Sequence, residues 1–183
     1  MPLKKAAKKA AKKAAKKAHG LHDPHKAAKD ARRTFEHLGR VQALSSLTSS
    51  ESESLNLLTK TADAAYQAQL YRESADLLRA AEHLSFAALH IEAAEPVAAD
   101  LKNVIKEEFE HLIERSGEHA SHHDIPKALL PLLARLTKDA KAAMRRGSYR
   151  SALEFARGAE ALSHVHLDTN LLPAPEAQKH LSD

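Results

Sequence analysis

The chain contains no cysteine and no tryptophan, and only five of its 183 residues are glycine. Without cysteine there is no disulfide, no thiol nucleophile and no thiolate metal centre. Aromatic residues make up only 4% of the chain, while hydrophobic residues reach 43%. Alanine and leucine must therefore fill the interior, which together with the scarcity of glycine favours closely packed helices over sheets. No apolar run approaches the roughly 18 residues of a membrane span. No glycine-rich phosphate loop and no G-x-S-x-G elbow occurs, so two large classes of enzyme leave no trace. Near the N-terminus both acids and aromatics are missing: Asp23 is the first acid and Phe35 the first aromatic.

What fills that acid-free stretch is KKAAKKAAKKAAKKA, residues 4–18, in which Lys4, Lys5, Lys8, Lys9, Lys12, Lys13, Lys16 and Lys17 alternate in pairs with alanines. Lysine recurs in every group of four, so no apolar core of a secretory signal forms. The first 40 residues carry ten Lys and three Arg against three acids; the remaining 143 carry fifteen bases and twenty-one acids. A basic arm on an acidic body suits contact with polyanions. Helix formation would stack Lys4 on Lys8, Lys5 on Lys9 and so on, six like-charge contacts that oppose the helix by about 1–3 kcal/mol. The expectation is an arm over 1–22 that is disordered or partly helical, with phosphates relieving the repulsion. Lysine lacks the planar fork of arginine, and neither aromatics nor Asn, Gln or Arg lie among the eight. Binding would therefore read backbone charge and no base sequence. Lys26, Lys29, Arg32 and Arg33 extend the basic stretch.

Beyond the arm the chain repeats. LTKTADAAYQAQLYRESADLLRAAEHLS, residues 58–85, aligns without a gap to LTKDAKAAMRRGSYRSALEFARGAEALS, residues 136–163, with thirteen of twenty-eight positions identical at an offset of 78. FEHL at 35–38 and again at 109–112 brings in the preceding helix at an offset of 74. Apolar spacing of three and four predicts helices over 24–44, 51–69, 72–93, 97–117, 131–146 and 149–167. Their core stripes include Ala28, Ala31, Phe35 and Leu38; Leu55, Leu58, Ala62 and Ala65; Leu77, Ala81, Leu84 and Ala88; and Leu101, Ile105, Phe109 and Leu112. Asp23-Pro24 reads as a cap and first helical residue, Ser50 and Glu53 as a capping box, and Gly117 with EHASHHD as a helix end. Pro131 aligns with Glu53, in the first turn of a helix, where its missing N–H costs nothing. Arg79–Glu82 and Arg157–Glu160 have the spacing of helical ion pairs.

The arm resembles the Lys/Ala-rich tails of linker histones and of bacterial histone-like proteins, a resemblance that implies condensing or scanning nucleic acid. GSYRSALEFARGAEAL, residues 147–162, resembles the second half of a tetratricopeptide repeat through Gly147, Tyr149, Ala152, Ala159 and Leu162, which implies a helical hairpin and a protein-binding scaffold.

Thirteen histidines raise the question of a metal. His19, His22 and His25 form one cluster; His119, His122 and His123 with Asp124 form another; both fall in expected loops, where nothing fixes ligand geometry. Glu108-x-x-His111 has the spacing of a di-iron carboxylate pair, but its repeat counterpart is Thr34 with His37, so the second pair is absent. Arg115 and His122 resemble the Arg–His motif of small helical nucleases in toxin–antitoxin systems. No catalytic residue, metal site or cofactor is assigned from these features.

The sequence thus predicts an all-α protein: an arm over 1–22, a six-helix body over 23–170 in two tandem three-helix units (about 24–93 and 97–167), and a loose tail over 171–183. The function it suggests is non-enzymatic and cytoplasmic, or nucleoid-associated. The arm and its extension hold nucleic acid, and the body meets a protein partner or a second copy. The alternatives are a small helical nuclease or metal-dependent enzyme, and a scaffold whose tail only solubilises.

Overall fold

A computed structural model describes residues 24–42, 47–90, 97–122 and 125–167. The arm with its eight lysines and the segment over 171–183 lie outside the described residues. Within them the chain is all-helical, with six α-helices and no strand: α1 (Pro24–Gln42), α2 (Ser49–Gln67), α3 (Tyr71–Leu89), α4 (Ala99–His122), α5 (Leu130–Arg146) and α6 (Tyr149–Ser163).

Local chemistry sets the helix ends. Proline opens α1, as expected of a residue with no N–H to lose. The capping box of α2 is two residues earlier than Ser50–Glu53: Thr48 Oγ1 accepts from the Glu51 N–H at 3.3 Å, and the Glu51 carboxylate accepts from the Thr48 N–H at 2.7 Å. Thr48 leads because its backbone is still extended, at φ −67° and ψ 161°, where a cap residue must be. Pro131 stands in the first turn of α5, after a 3-10 turn at Lys127–Leu129.

The repeat is reproduced bond for bond where α2 hands over to α3 and α5 to α6. The Leu70 N–H bonds the Ala65 carbonyl at 2.9 Å and the Gln69 N–H bonds that of Tyr66 at 3.0 Å; Ser148 to Ala143 (3.0 Å) and Gly147 to Met144 (3.1 Å) are their equivalents. Each is a Schellman ending, which needs one left-handed residue. Gly147 supplies it at φ 78°, and Gln69 supplies it in the first copy at φ 63°.

In each unit the third helix is the hub: α3 packs on α1 and α2, and α6 packs on α4 and α5. The two hubs then pack on each other. They run antiparallel, since Ser151 Oγ bonds the Ala87 carbonyl (3.0 Å) and His83 meets Glu154 (2.6 Å). At the crossing a Cβ on Gly158 would lie 3.5 Å from the Ala80 carbonyl oxygen, and Ala80 and Gly158 are equivalent positions in the two copies. The small residues that permit such approach, Ala62, Ala65, Ala81, Ala140, Ala143 and Ala159, are all buried. So are Leu58, Leu77, Leu84, Leu136 and Leu162, each contributing about 1.5–3 kcal/mol on burial.

Four expectations are corrected. First, α4 runs through Gly117 to His122, because Ser116 is buried and Ala120 packs on the core past that glycine, so continued packing outweighs a helix penalty of about 1 kcal/mol. Second, Phe35 and Leu101 lie on the apolar stripes but are 59% and 50% exposed. Both helices pack chiefly on a hub, so a residue at the edge of the stripe overhangs a groove.

Third, the first helices of the two units correspond at an offset of 78 and not 74. His37 pairs with Glu82 and Arg115 with Glu160, each across 45 residues, so His37 and Arg115 are equivalent. Buried Ala31 and Leu38 then match buried Phe109 and Ser116. The FEHL match is one helical turn out of spatial register.

Fourth, the arginines on the hubs do not pair with the glutamates three residues later. Arg79 bonds Asp76 (2.7 Å) and Arg157 bonds Glu154 (2.9 Å), three residues earlier, because helical side chains lean toward the N-terminus. Glu82 and Glu160 are left to cross to α1 and α4.

Candidate functional site

On α1 a spacing of three, four and seven residues sorts side chains onto faces. Ala31, Leu38 and Val41 turn inward and are buried. On the opposite side Lys26, Lys29, Arg32, Arg33 and Arg40 are exposed, within an arc of about 120°. From Lys26 to Arg40 this basic face runs about 21 Å along the helix. One acid interrupts it: Glu36, 3.5 Å from Arg32. The four extension residues inferred from sequence are thus brought onto one solvent face. Arg40 belongs with them and was missed, although its separation of seven from Arg33, two helical turns, is the signal that would have found it.

Beside this face α1 and α3 enclose a cleft of about 590 Å³ lined by Asp30, Arg33, Glu36, Arg40, Arg79 and Glu82, with His37 paired to Glu82 at its wall. Three arginines face three acids, so the cleft has no net charge to concentrate an anion. Arg33, Arg40 and Glu36 belong to both the cleft wall and the basic face.

The second charged region lies between α3, α4 and α6, around a cavity of about 360 Å³. Glu108 bonds Arg157 at 2.6 Å, Arg157 bonds Glu154 at 2.9 Å, and Glu154 Oε2 lies 2.6 Å from His83 Nδ1. Equivalent acids behave in opposite ways here. Asp76 and Glu154 are 78 residues apart and each bonds an arginine three residues on. Burial pushes the Asp76 carboxyl above its ordinary range, despite the Arg79 and Arg72 guanidinium groups beside it. Burial pushes Glu154 up too, but the hydrogen bond and charge of His83, reinforced by Arg157, outweigh it and hold the group below its ordinary value. The difference lies across the hub crossing, where Glu154 meets His83 and the equivalent of His83 in the second copy is Ala161.

The residues that suggested an enzyme are engaged elsewhere or apart. Arg115 is paired with Glu160 and Glu108 with Arg157, joining α4 to α6. His111 and His122 are exposed. His119, expected in a loop, sits within α4, and its Nδ1 lies 2.9 Å from that of His164. His25 is exposed on α1, while His19, His22, His123 and Asp124 lie outside the described residues. Among the described residues no three His, Asp or Glu side chains converge to hold a metal ion, and no helix is long and apolar enough to cross a membrane.

No protein family, curated protein or solved structure matches the chain, so its own residues carry the functional reading.

Proposed function

We propose that this chain binds nucleic acid through its phosphates, without sequence preference, using the eight lysines from Lys4 to Lys17 and the solvent face of α1, while the helical body meets a protein partner or a second copy. A cytoplasmic or nucleoid-associated role follows from that reading. The observation that supports it is the closeness of two basic stretches in the chain: only residues 19–23 separate the acid-free lysine run from a helix whose exposed side carries Lys26, Lys29, Arg32, Arg33 and Arg40. Phe35, at the edge of this face, is the one large apolar side chain exposed on α1 among the described residues, too little to sink into a bilayer, so phosphates of a nucleic acid fit the face better than a membrane surface. With no guanidinium among the eight lysines and no aromatic before Phe35, nothing in the arm selects a base.

The test is a titration of the full chain with random-sequence duplex DNA across a range of salt. Engagement of the eight arm lysines contributes about −7 to the log–log slope, and the cations of the α1 face steepen it further. Removing residues 1–18 should abolish binding, and the triple variant Lys26→Ala, Lys29→Ala, Arg33→Ala should flatten the slope by about 3. Binding that ignores salt, or survives loss of the arm, refutes the proposal. RNA cleavage that survives that truncation but is lost in His122→Ala would make the chain a nuclease instead.

A further inference from the structure

The two units are not equally filled. Between α1 and α2, over α3, lies a groove of about 310 Å³ lined mainly by Ala31, Phe35, Ala62, Tyr66, Ser74 and Leu78. Its floor holds the single buried side-chain polar atom without a partner among the described residues, Ser74 Oγ. Ser74 is 1% exposed, so water does not satisfy it freely. Four other buried serines are bonded: Ser54 and Ser85 to carbonyls four residues back at 2.8 and 2.9 Å, Ser151 to the Ala87 carbonyl at 3.0 Å, and Ser163 to the Glu160 carbonyl at 2.7 Å. A buried hydroxyl left unmet is costly and calls for a reason.

The second unit shows what belongs in such a space. At the offset of 78, Ala31 corresponds to Phe109 and Ser74 to Ala152. Phe109 is a core residue at 8% exposure, and Ala152 offers no polar atom to satisfy. One copy therefore fills the position with its own phenyl ring over an apolar floor. The other has a methyl group there, an open groove, and a hydroxyl beneath it. Tyr66, at the wall, already stands edge-on to Tyr71 with ring centroids 5.1 Å apart, an arrangement that a further ring can extend. Phe35 overhangs the rim. The charged rim residues are one of each sign, Arg32 and Asp63, so the site prefers no net charge.

We infer that the groove between α1 and α2 is a binding site for a small, neutral, single-ring aromatic molecule bearing one hydrogen-bonding group, the ring lying where Phe109 lies in the other unit and the polar group meeting Ser74 Oγ. The volume is at the lower end for a small-molecule site and large enough for one substituted ring.

Phenol is the probe, titrated into the full chain and followed by amide chemical shifts in heteronuclear NMR, with toluene as the ring lacking a polar group. Saturable shifts confined to α1, α2 and α3 are expected, with a Kd of about 1 mM or tighter. Ser74→Ala should weaken phenol by roughly tenfold and leave toluene unchanged. Ala31→Phe, copying the second unit, should abolish binding of both while the helical circular dichroism and melting temperature hold or rise. If that variant fails to fold, Ala31→Leu, which fills less of the space, should weaken both ligands. The inference is overturned if phenol gives no saturable shift in the native chain, if Ser74→Ala affects phenol and toluene alike, or if a folded position-31 variant binds as before.

Discussion

Gln69 and Gly147 offer a controlled measurement of left-handed strain, because the repeat places them in one hydrogen-bonded frame. Both end a helix in the same pair of backbone bonds, with φ of 63° and 78°. A residue with a Cβ pays about 1–2 kcal/mol in this conformation. Glycine escapes that cost but loses about 0.4–1 kcal/mol through the greater freedom of its unfolded chain. Gln69→Gly should therefore stabilise the protein by about 0.5–1 kcal/mol, and Gly147→Gln should destabilise it by a similar amount. No packing term confuses the second change, since a Cβ on Gly147 would meet nothing within 4 Å. Gln69 is exposed. For a chain of this size the shifts correspond to about 1–4 °C in Tm. Urea melts followed by far-ultraviolet circular dichroism would read both, with midpoints moving in opposite directions at constant slope. The double exchange should return close to the native midpoint. If Gln69→Gly lowers stability as Gly147→Gln does, the frames are not energetically equivalent and the strain argument fails.

Two further outcomes follow from the packing and the charges. Gly158→Ala should raise stability by up to about 1 kcal/mol by helix propensity, because the new methyl meets Ala80 O and the His83 Cβ at 3.5 Å, an ordinary contact; a loss of stability in chemical denaturation would mean the hub crossing has no room. Glu154→Gln should cost about 1–2 kcal/mol at neutral pH by removing a charged partner of His83 and Arg157. The sign of its pH dependence is fixed: a folded pKa below the ordinary 4.5 means stability present above that value and lost as pH falls below it. The gap between Glu154→Gln and the native chain should narrow on the acid side of pH 4.5, and a gap that stays constant in acid-range melts would refute the pairing.

Much of the body was legible because its repeat is written in identical residues. The stripes Leu55, Leu58, Ala62, Ala65 and Leu133, Leu136, Ala140, Ala143 are all buried, since a second helix face recurring at one offset leaves little choice of packing. Local rules failed where tertiary contact decided. Gly117 reads as a stop, but Ala120 beyond it still has a core to reach. Phe35 reads as core, but it overhangs a groove that no period of 3.6 can reveal. FEHL misled because four identical residues weigh heavily in an alignment, whereas the fold aligns ion pairs and buried positions. The solvent face of α1 was readable from spacing alone. The groove was not, because it depends on comparing Ala31 with Phe109, a pairing hidden until the spatial register was known.

The antiparallel meeting of α3 and α6 at Ala80 and Gly158 is the geometry of an isologous contact, the kind that two identical subunits make about a two-fold axis, here closed within a single polypeptide. Identical subunits must change in step, because every substitution appears on both sides at once. Joining the halves end to end removes that constraint. One half can plug its hollow with phenylalanine while the other keeps it vacant, and one buried acid can be matched with histidine while its twin is not. The near-symmetry supplies the shared frame, and the departures from it are where the halves differ in packing and in charge.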